Sequence, residues 1–244
     1  MNFVIASPSS RVAIRAGQTI PLEIVRDHLI ADWPGIGRVV IDTGSPVTVP
    51  GAGDLVPGGL NIARLGSLIG TRLDGLVGMD TLGAQPFVVD WSASRLVLGT
   101  ADGVAGGRVV PLELRQGLPV VPMTIGGAER PVILDTGATV SYFVRGLVDM
   151  ANPTGVFHDF VREADFVEFD TPLAAVDVTL GSLPFRLAAG IPPAHLDMCL
   201  RAIGVAGVVG RDVWKNARVA IDVPGARAVI DSPAGPPGAG PAIR

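Results

Sequence analysis

The chain carries one cysteine, one lysine and one tyrosine in 244 residues, and each scarcity removes a class of explanation. With Cys199 alone, no internal disulfide can form, and a half-buried structural thiol is the expected role rather than a nucleophile. A single lysine, Lys215, and a net charge of −4 provide no basic surface for a phosphate backbone, so nucleic acid is not an expected partner. No apolar run approaches the roughly 18 residues that span a bilayer. Met1–Gly17 also lacks the charged start and apolar block of a secretory signal. The expectation is a soluble, cytoplasmic protein with no membrane partner. Three histidines, His28, His158 and His195, show no metal-ligand spacing, so neither a metal nor a cofactor is expected. Helical periodicity is scarce, and predicts helices only over Ser141–Ala151 and Pro192–Ala202.

Apolar residues are plentiful, at 48% against 17% charged, which is ample for a core. With 32 glycines, 21 prolines and short β-branched runs, the composition predicts an all-β protein. Gly99–Gly107 reads as a linker between an N-terminal unit, 1–104, and a C-terminal unit, 105–231. The Pro-, Gly- and Ala-rich tail 232–244 reads as disordered.

Against this background two triplets stand out, Asp42-Thr43-Gly44 and Asp135-Thr136-Gly137. Each closes a buried-strand pattern, Arg38-Val-Val-Ile before the first and Arg130-Pro-Val-Ile-Leu before the second. An Asx-type turn would explain either copy alone. A second matched pair argues for more: Gly75-Leu-Val-Gly-Met-Asp80 is echoed by Gly207-Val-Val-Gly-Arg-Asp212, an offset of 132 (207 − 75). At that offset Phe87-Val-Val-Asp90 answers Val219-Ala-Ile-Asp222, and Arg95-Leu-Val-Leu98 answers Arg227-Ala-Val-Ile230. Ahead of the triplets, Val12–Ile24 resembles Leu118–Gly127. The chain reads as an internal duplication. If the halves pack symmetrically, two carboxylates meet, and a pair that close cannot both ionise, so one keeps a proton and the two act together as acid and base.

Strand, Asp-Thr-Gly-(Ser/Ala), then Gly-apolar-apolar-Gly in the same half resembles the aspartic proteases, both pepsin-like and retropepsin-like. The resemblance covers most of residues 10–231 and implies a bilobal pepsin/retropepsin-like fold with pseudo-two-fold symmetry and few short helices. It implies an aspartic endopeptidase that acts as a monomer on an extended peptide or protein substrate. Asp42 and Asp135 would be the catalytic dyad, with Thr43, Gly44, Ser45, Thr136, Gly137 and Ala138 supporting the active-site loops. Thr43 and Thr136 would hydrogen-bond across the junction. Ser45 matches the position whose hydroxyl bonds the outer oxygen of its aspartate, which Ala138 cannot do. On that asymmetry Asp42 would be the charged member and Asp135 the protonated one, with activity at weakly acidic to neutral pH. Asp80 and Asp212 would cap the helix or turn that follows each loop.

The departures concern the flap that should cover the substrate. The triplet and the glycine motif are 33 positions apart in the first half (75 − 42) and 72 in the second (207 − 135). The only first-half candidate for a flap is Gly51–Gly59, which has no tyrosine. The second half could build a hairpin from Ala175–Leu180 and Leu183–Leu187 around Gly181-Ser182. The acidic stretch from Asp159 to Asp170, with its three phenylalanines, reads as a solvated face. A noncatalytic peptide-binding or structural protein on the same fold is the rival reading. Phosphotransfer through the aspartates lacks its extra motif residue, and Ser45 lacks a nucleophile elbow.

Overall fold

The computed structural model describes residues 17–51, 60–101, 104, 106–150, 152–163 and 165–232. The expected tail beyond Ser232, the start of the Val12–Ile24 segment and most of the Gly51–Gly59 candidate flap lie outside the described residues.

Short β-branched runs cut by Gly, Pro and Asp turns give strands of two to eight residues and one of fifteen, with four short helices among the described residues. The first half contributes β1 (Thr19–Pro21), β2 (Glu23–Val25), β3 (His28–Trp33), β4 (Gly37–Ile41) and the two-residue β5 (Val49–Pro50). There follow α1 (Ile62–Ile69), β6 (Gly75–Val77), α2 (Met79–Leu82), β7 (Phe87–Asp90) and β8 (Arg95–Leu98). The second half begins with β9 (Arg108–Pro111), β10 (Glu113–Arg115), β11 (Leu118–Ile125), β12 (Ala128–Leu134) and β13 (Ser141–Phe143). Next come β14 (Gly155–Arg162), β15 (Phe166–Leu180), β16 (Leu183–Gly190) and α3 (Ala194–Ala202). The chain closes with β17 (Gly207–Val209), α4 (Arg211–Asn216), β18 (Arg218–Asp222) and β19 (Arg227–Asp231).

The fold is all-β with two matching halves about a pseudo-two-fold axis. The first half builds a five-stranded sheet, β2-β3-β4-β6-β5, and the second an eight-stranded one, β10-β11-β12-β17-β13-β16-β15-β14. Both contain the same unit, an antiparallel hairpin whose second strand pairs in parallel with the glycine-motif strand. That strand pairing is β4 with β6 in one half and β12 with β17 in the other. A six-stranded sheet, β1-β8-β7-β18-β19-β9, joins the halves through the antiparallel pair β7–β18 at its centre. Phe87–Asp90 is buried at every position and Arg218–Asp222 at all but the first. Continuous apolar runs of this kind belong to strands covered on both faces. The largest core cluster draws on both halves, with Trp33, Phe87 and Leu98 packed with Leu134, Trp214 and Ile230.

The structure corrects three sequence expectations. Ser141–Ala151 is not a helix: Ser141–Phe143 forms β13, buried between β16 and β17, and Gly146 turns the chain at φ 86°. The counterpart of Leu118–Ile125 is β3, not the segment up to Ile24, because each of these strands is the partner of the strand that leads into a triplet. The helix α1 was not anticipated. Its signals are local: the Asn61 side chain accepts from Arg64 N, Gly70 caps the end at φ 85°, and Ile62, Leu65 and Ile69 share the buried face. The other expected helix forms, as Ala194–Ala202 within the predicted Pro192–Ala202.

Candidate active site

Each triplet begins where a strand leaves its sheet. Asp42 N donates to Val77 O at 3.0 Å, and Asp135 N donates to Val209 O at the same 3.0 Å. Past the triplets, Met79 N bonds Ser45 O (2.9 Å) and Arg211 N bonds Ala138 O (3.0 Å). The glycine motifs let these loops approach. Gly78 N donates to Thr48 Oγ1 and Gly210 N to Ser141 Oγ, and a Cβ on either glycine would meet a loop carbonyl at 2.5 Å.

The two loops are tied together by the threonines. Thr43 Oγ1 donates to Leu134 O (2.7 Å) and accepts from Thr136 N (2.9 Å). Reciprocally, Thr136 Oγ1 donates to Ile41 O (2.8 Å) and accepts from Thr43 N (3.0 Å). Both threonines are buried, so these four bonds are made out of water, where an unpaired partner would be costly.

The Asp42 and Asp135 carboxyls meet above this tie and hydrogen-bond each other. Glycine is required on both sides. A Cβ on Gly44 would lie 2.2 Å from Asp135 Oδ2, and one on Gly137 would lie 2.6 Å from Asp42 Oδ1. Each carboxylate also accepts from its own loop, Asp42 Oδ1 from Gly44 N (2.8 Å) and Asp135 Oδ1 from Gly137 N (2.7 Å).

Burial raises both carboxyls above the ordinary aspartate value. For Asp42 the charge of Asp135 and the bond between the two add to the rise, against the N–H groups of Gly44 and Ser45. For Asp135 the rise is opposed by Gly137 N–H, by the bond from Asp42, and by the N–H groups of Ala138 and Gly44. The expected asymmetry loses its stated basis. Ser45 Oγ donates to Val47 O (2.9 Å) rather than to its aspartate, so Asp42 gains nothing from that hydroxyl. Asp135 has the larger set of N–H donors, and the two carboxyls titrate as a pair. Trp214 Nε1 additionally donates to Asp135 O (3.1 Å). At the 132-residue offset its counterpart is Leu82, so the duplicated pattern gave no hint of this bond.

The dyad opens into a cleft of about 260 Å³. First-half side chains Val40, Leu65, Ile69 and Leu76 line one wall, and Ala138, Leu196 and Val208 line the other. Over it stand β14 and β15, through Phe160, Val161, Arg162 and Phe166. The second-half flap candidate does not line this cleft. Residues 175–187 do form an antiparallel hairpin, but its turn at Gly181 lies against Arg108 and Val110, beside β9. The acidic stretch read as a solvated face supplies the cover instead.

Three residues that the sequence did not single out as functional converge on this cleft: His28, Tyr142 and Asp159. Tyr142 OH donates to Asp159 Oδ2 at 2.6 Å. Burial, and then the adjacent Asp159 charge, push the tyrosine above its usual value, so it stays a donor. Burial also raises Asp159, against bonds from Tyr142 OH and Phe160 N. His28 Nδ1 donates to Arg26 O (3.0 Å), and burial lowers its pKa, leaving it neutral near pH 7. The tyrosine's position five residues past the second triplet was the available signal.

Asp80 and Asp212 do not cap α2 and α4; the caps are Gly78 and Gly210, which lack side chains to donate or accept. Asp80 Oδ1 accepts from Thr48 Oγ1 (2.6 Å) and Asp212 Oδ2 from Ala188 N (2.6 Å), so both brace strands that flank the loops. Cys199 is exposed rather than half-buried, with His195 Nε2 3.6 Å from its sulfur. Among the described residues no group of three or more His, Cys, Asp or Glu is arranged to hold a metal, and no helix is long and apolar enough to cross a membrane.

No protein-family model matches the chain, and no curated protein matches it. Among solved structures, a retropepsin-like aspartic protease from Rickettsia conorii is similar, with a TM-score of 0.38 and 12% identity. The match covers 52% of this chain and 91% of that one.

Proposed function

We propose that this protein is an aspartic endopeptidase in which Asp42 and Asp135 activate a water for attack on a peptide bond. The observation that carries the reading is the pair itself: two partly buried carboxyls, hydrogen-bonded to each other on loops related by the pseudo-two-fold axis, at the floor of a cleft.

The chemistry follows from one shared proton. With Asp135 as the charged member, on its larger set of N–H donors, it takes a proton from the water as the water oxygen bonds to the scissile carbonyl carbon, and Asp42 donates its proton to the carbonyl oxygen. The result is a neutral tetrahedral diol, with Asp42 now ionised and Asp135 protonated. Proton transfer from Asp135 to the amide nitrogen and from one diol hydroxyl back to Asp42 lets the carbon–nitrogen bond break, releasing acid and amine. No covalent enzyme intermediate forms. The substrate would lie extended between the apolar walls, with β14 and β15 above it.

The test is cleavage of a mixed peptide library between about pH 3 and about pH 8, the range in which paired carboxylates titrate. Wild type should show a bell-shaped profile, and Asp42→Asn and Asp135→Asn should each lose about 10²–10⁴-fold in rate. Peptide binding without cleavage at any pH would sink the reading and leave a noncatalytic peptide binder.

A further inference from the structure

The β14–β15 hairpin is packed on both faces, each against a different half. Toward the first half, the Phe160 ring stacks on His28 with centroids 5.9 Å apart and planes 12° from parallel. Phe160 and Phe166 join the first-half cluster that holds Val40, Leu65 and Ile69, and Arg64 of α1 bonds Glu168 at 2.9 Å. Toward its own half, Phe169 packs against Tyr142 with ring centroids 6.1 Å apart. Beside that ring pair Asp159 receives the tyrosine hydroxyl.

The bond has an unusual setting for a surface hairpin. Tyr142 is 4% exposed and Asp159 9%. A carboxyl buried this far is costly, and an apolar pair of similar shape would hold two elements together at least as well. A polar pair holds them at one distance and one angle. Its tyrosine belongs to β13, the strand that follows the Asp135 loop, and Tyr142 lines the same cleft as both carboxyls. Beside the backbone ladders of the eight-stranded sheet, a hydroxyl–carboxyl bond thus links the strand after the Asp135 loop directly to the hairpin.

We infer that Tyr142 and Asp159 are positioning residues, whose bond sets the height of the β14–β15 hairpin over the Asp42/Asp135 pair. His28 and Arg64 then form the seat on the opposite half onto which the hairpin is held. The consequence for turnover rests on the proposed endopeptidase activity; the effect on the hairpin does not. Removing the hydroxyl loosens the cover while leaving the dyad, its loops and its proton unchanged.

Amide hydrogen exchange on the full chain, with cleavage kinetics alongside, separates these statements. Tyr142→Phe keeps the ring among Val140 and Leu173 and deletes one oxygen. Amides of β14 and the paired part of β15 should exchange about tenfold faster, while those of the six-stranded sheet stay as they were. KM should rise about tenfold with the limbs of the kcat–pH profile in place. Asp159→Asn, which retains an acceptor for the hydroxyl, should stay near wild type, and Asp159→Ala should match Tyr142→Phe with no further loss in the double variant. Unchanged hairpin exchange in Tyr142→Phe, or faster exchange spread evenly over all sheets, would overturn the inference. So would a loosened hairpin with unaltered KM in an active enzyme. A wild type that cleaves nothing, but whose hairpin responds as described, would remove the proposed activity and leave the hairpin's positioning in place.

Discussion

The two halves agree at the floor of the cleft and differ at its roof. On the floor the threonine bonds, the strand-to-loop bonds and the glycine approaches are repeated with distances matching to within about half an ångström. Above it, the described part of the first-half interval holds β5 and α1, whereas the second holds β13 and α3 and adds β14, β15 and β16. The physical demands on the two levels differ in the same way. Two carboxyls that share one proton need support from both sides, since a displacement of either changes the field on the other. A cover has to be supplied only once, and the second half supplies it by reaching over to the first.

The largest expected break in the symmetry is at the glycines. Gly44→Ala and Gly137→Ala each push a methyl into the opposite carboxyl, and a shift of about 1 Å in a reacting group costs about 10²-fold in rate. Gly44→Ala should lose the more, because its contact is tighter, 2.2 Å against 2.6 Å. Peptide-cleavage rates at the pH optimum measure this, and full activity in either variant would mean that the carboxyls need not touch.

Thr43→Val and Thr136→Val come next, and sharpen the comparison through their equality. Each leaves a buried carbonyl and a buried N–H without their partners, at about 1–3 kcal/mol per group, so each should cost roughly 2–6 kcal/mol in denaturant unfolding. The double variant should cost less than the sum, since both substitutions break one network. Unequal losses would show that one loop carries the other.

How much of this could be read from the sequence depends on how local each constraint is. The triplets and glycine motifs were readable because backbone geometry near a buried carboxyl admits few residue types, and the 132-residue echo repeats them. The turn of a hydroxyl is not written in residue identity, and Ser45 chose Val47 O over Asp42. The covering hairpin escaped for another reason. Strands buried on one face alternate in polarity, but along β14 burial does not follow polarity, since Val156, His158 and Arg162 are exposed on one face while the carboxyl of Asp159 is buried on the other beside half-buried Phe157 and Val161. Apolar and charged residues then occur on each face, and the period of two disappears. Residues 141–143 misled through non-local pairing: between β16 and β17 a strand is stable where isolated periodicity suggests helix.

Acidity offers a third comparison, between carboxyls of the floor and those of the turns. Asp42, Asp135, Asp159 and Asp212 are raised, in each case first by burial. A carboxyl raised in the folded state contributes stability that is complete below its unfolded value, about 3.9, and is lost as pH rises through its folded value. Asp90 behaves oppositely: burial pushes it up, but bonds from Arg95, Ala93 N and Ser92 outweigh this and leave it low. Its contribution is present above about 3.9 and lost as pH falls through its folded value. The raised carboxyls should therefore make the melting temperature fall as pH rises above about 3.9. Asp42→Asn and Asp135→Asn should each flatten that slope, and to the same extent because they share one proton. A slope unchanged in both would show that the pair is not raised.

The smallest expected effect tests the duplication away from the cleft. In the β7–β8 turn Asp90 Oδ2 accepts from Arg95 (2.9 Å) while Oδ1 accepts from Ala93 N (3.1 Å). In the β18–β19 turn Asp222 Oδ2 accepts from Arg227 (2.9 Å) while Oδ1 accepts from Gly225 N (2.9 Å). Both carboxyls are nearly buried and both arginines half-exposed, so removal strands a backbone N–H more than it strands a cation. Asp90→Ala and Asp222→Ala should each cost about 1–2 kcal/mol in chemical unfolding, and by similar amounts. Neither should alter KM, since the six-stranded sheet does not line the cleft. A change in KM in either would mean that the joining sheet sets the spacing of the halves at the dyad, and that floor and frame are one mechanical unit.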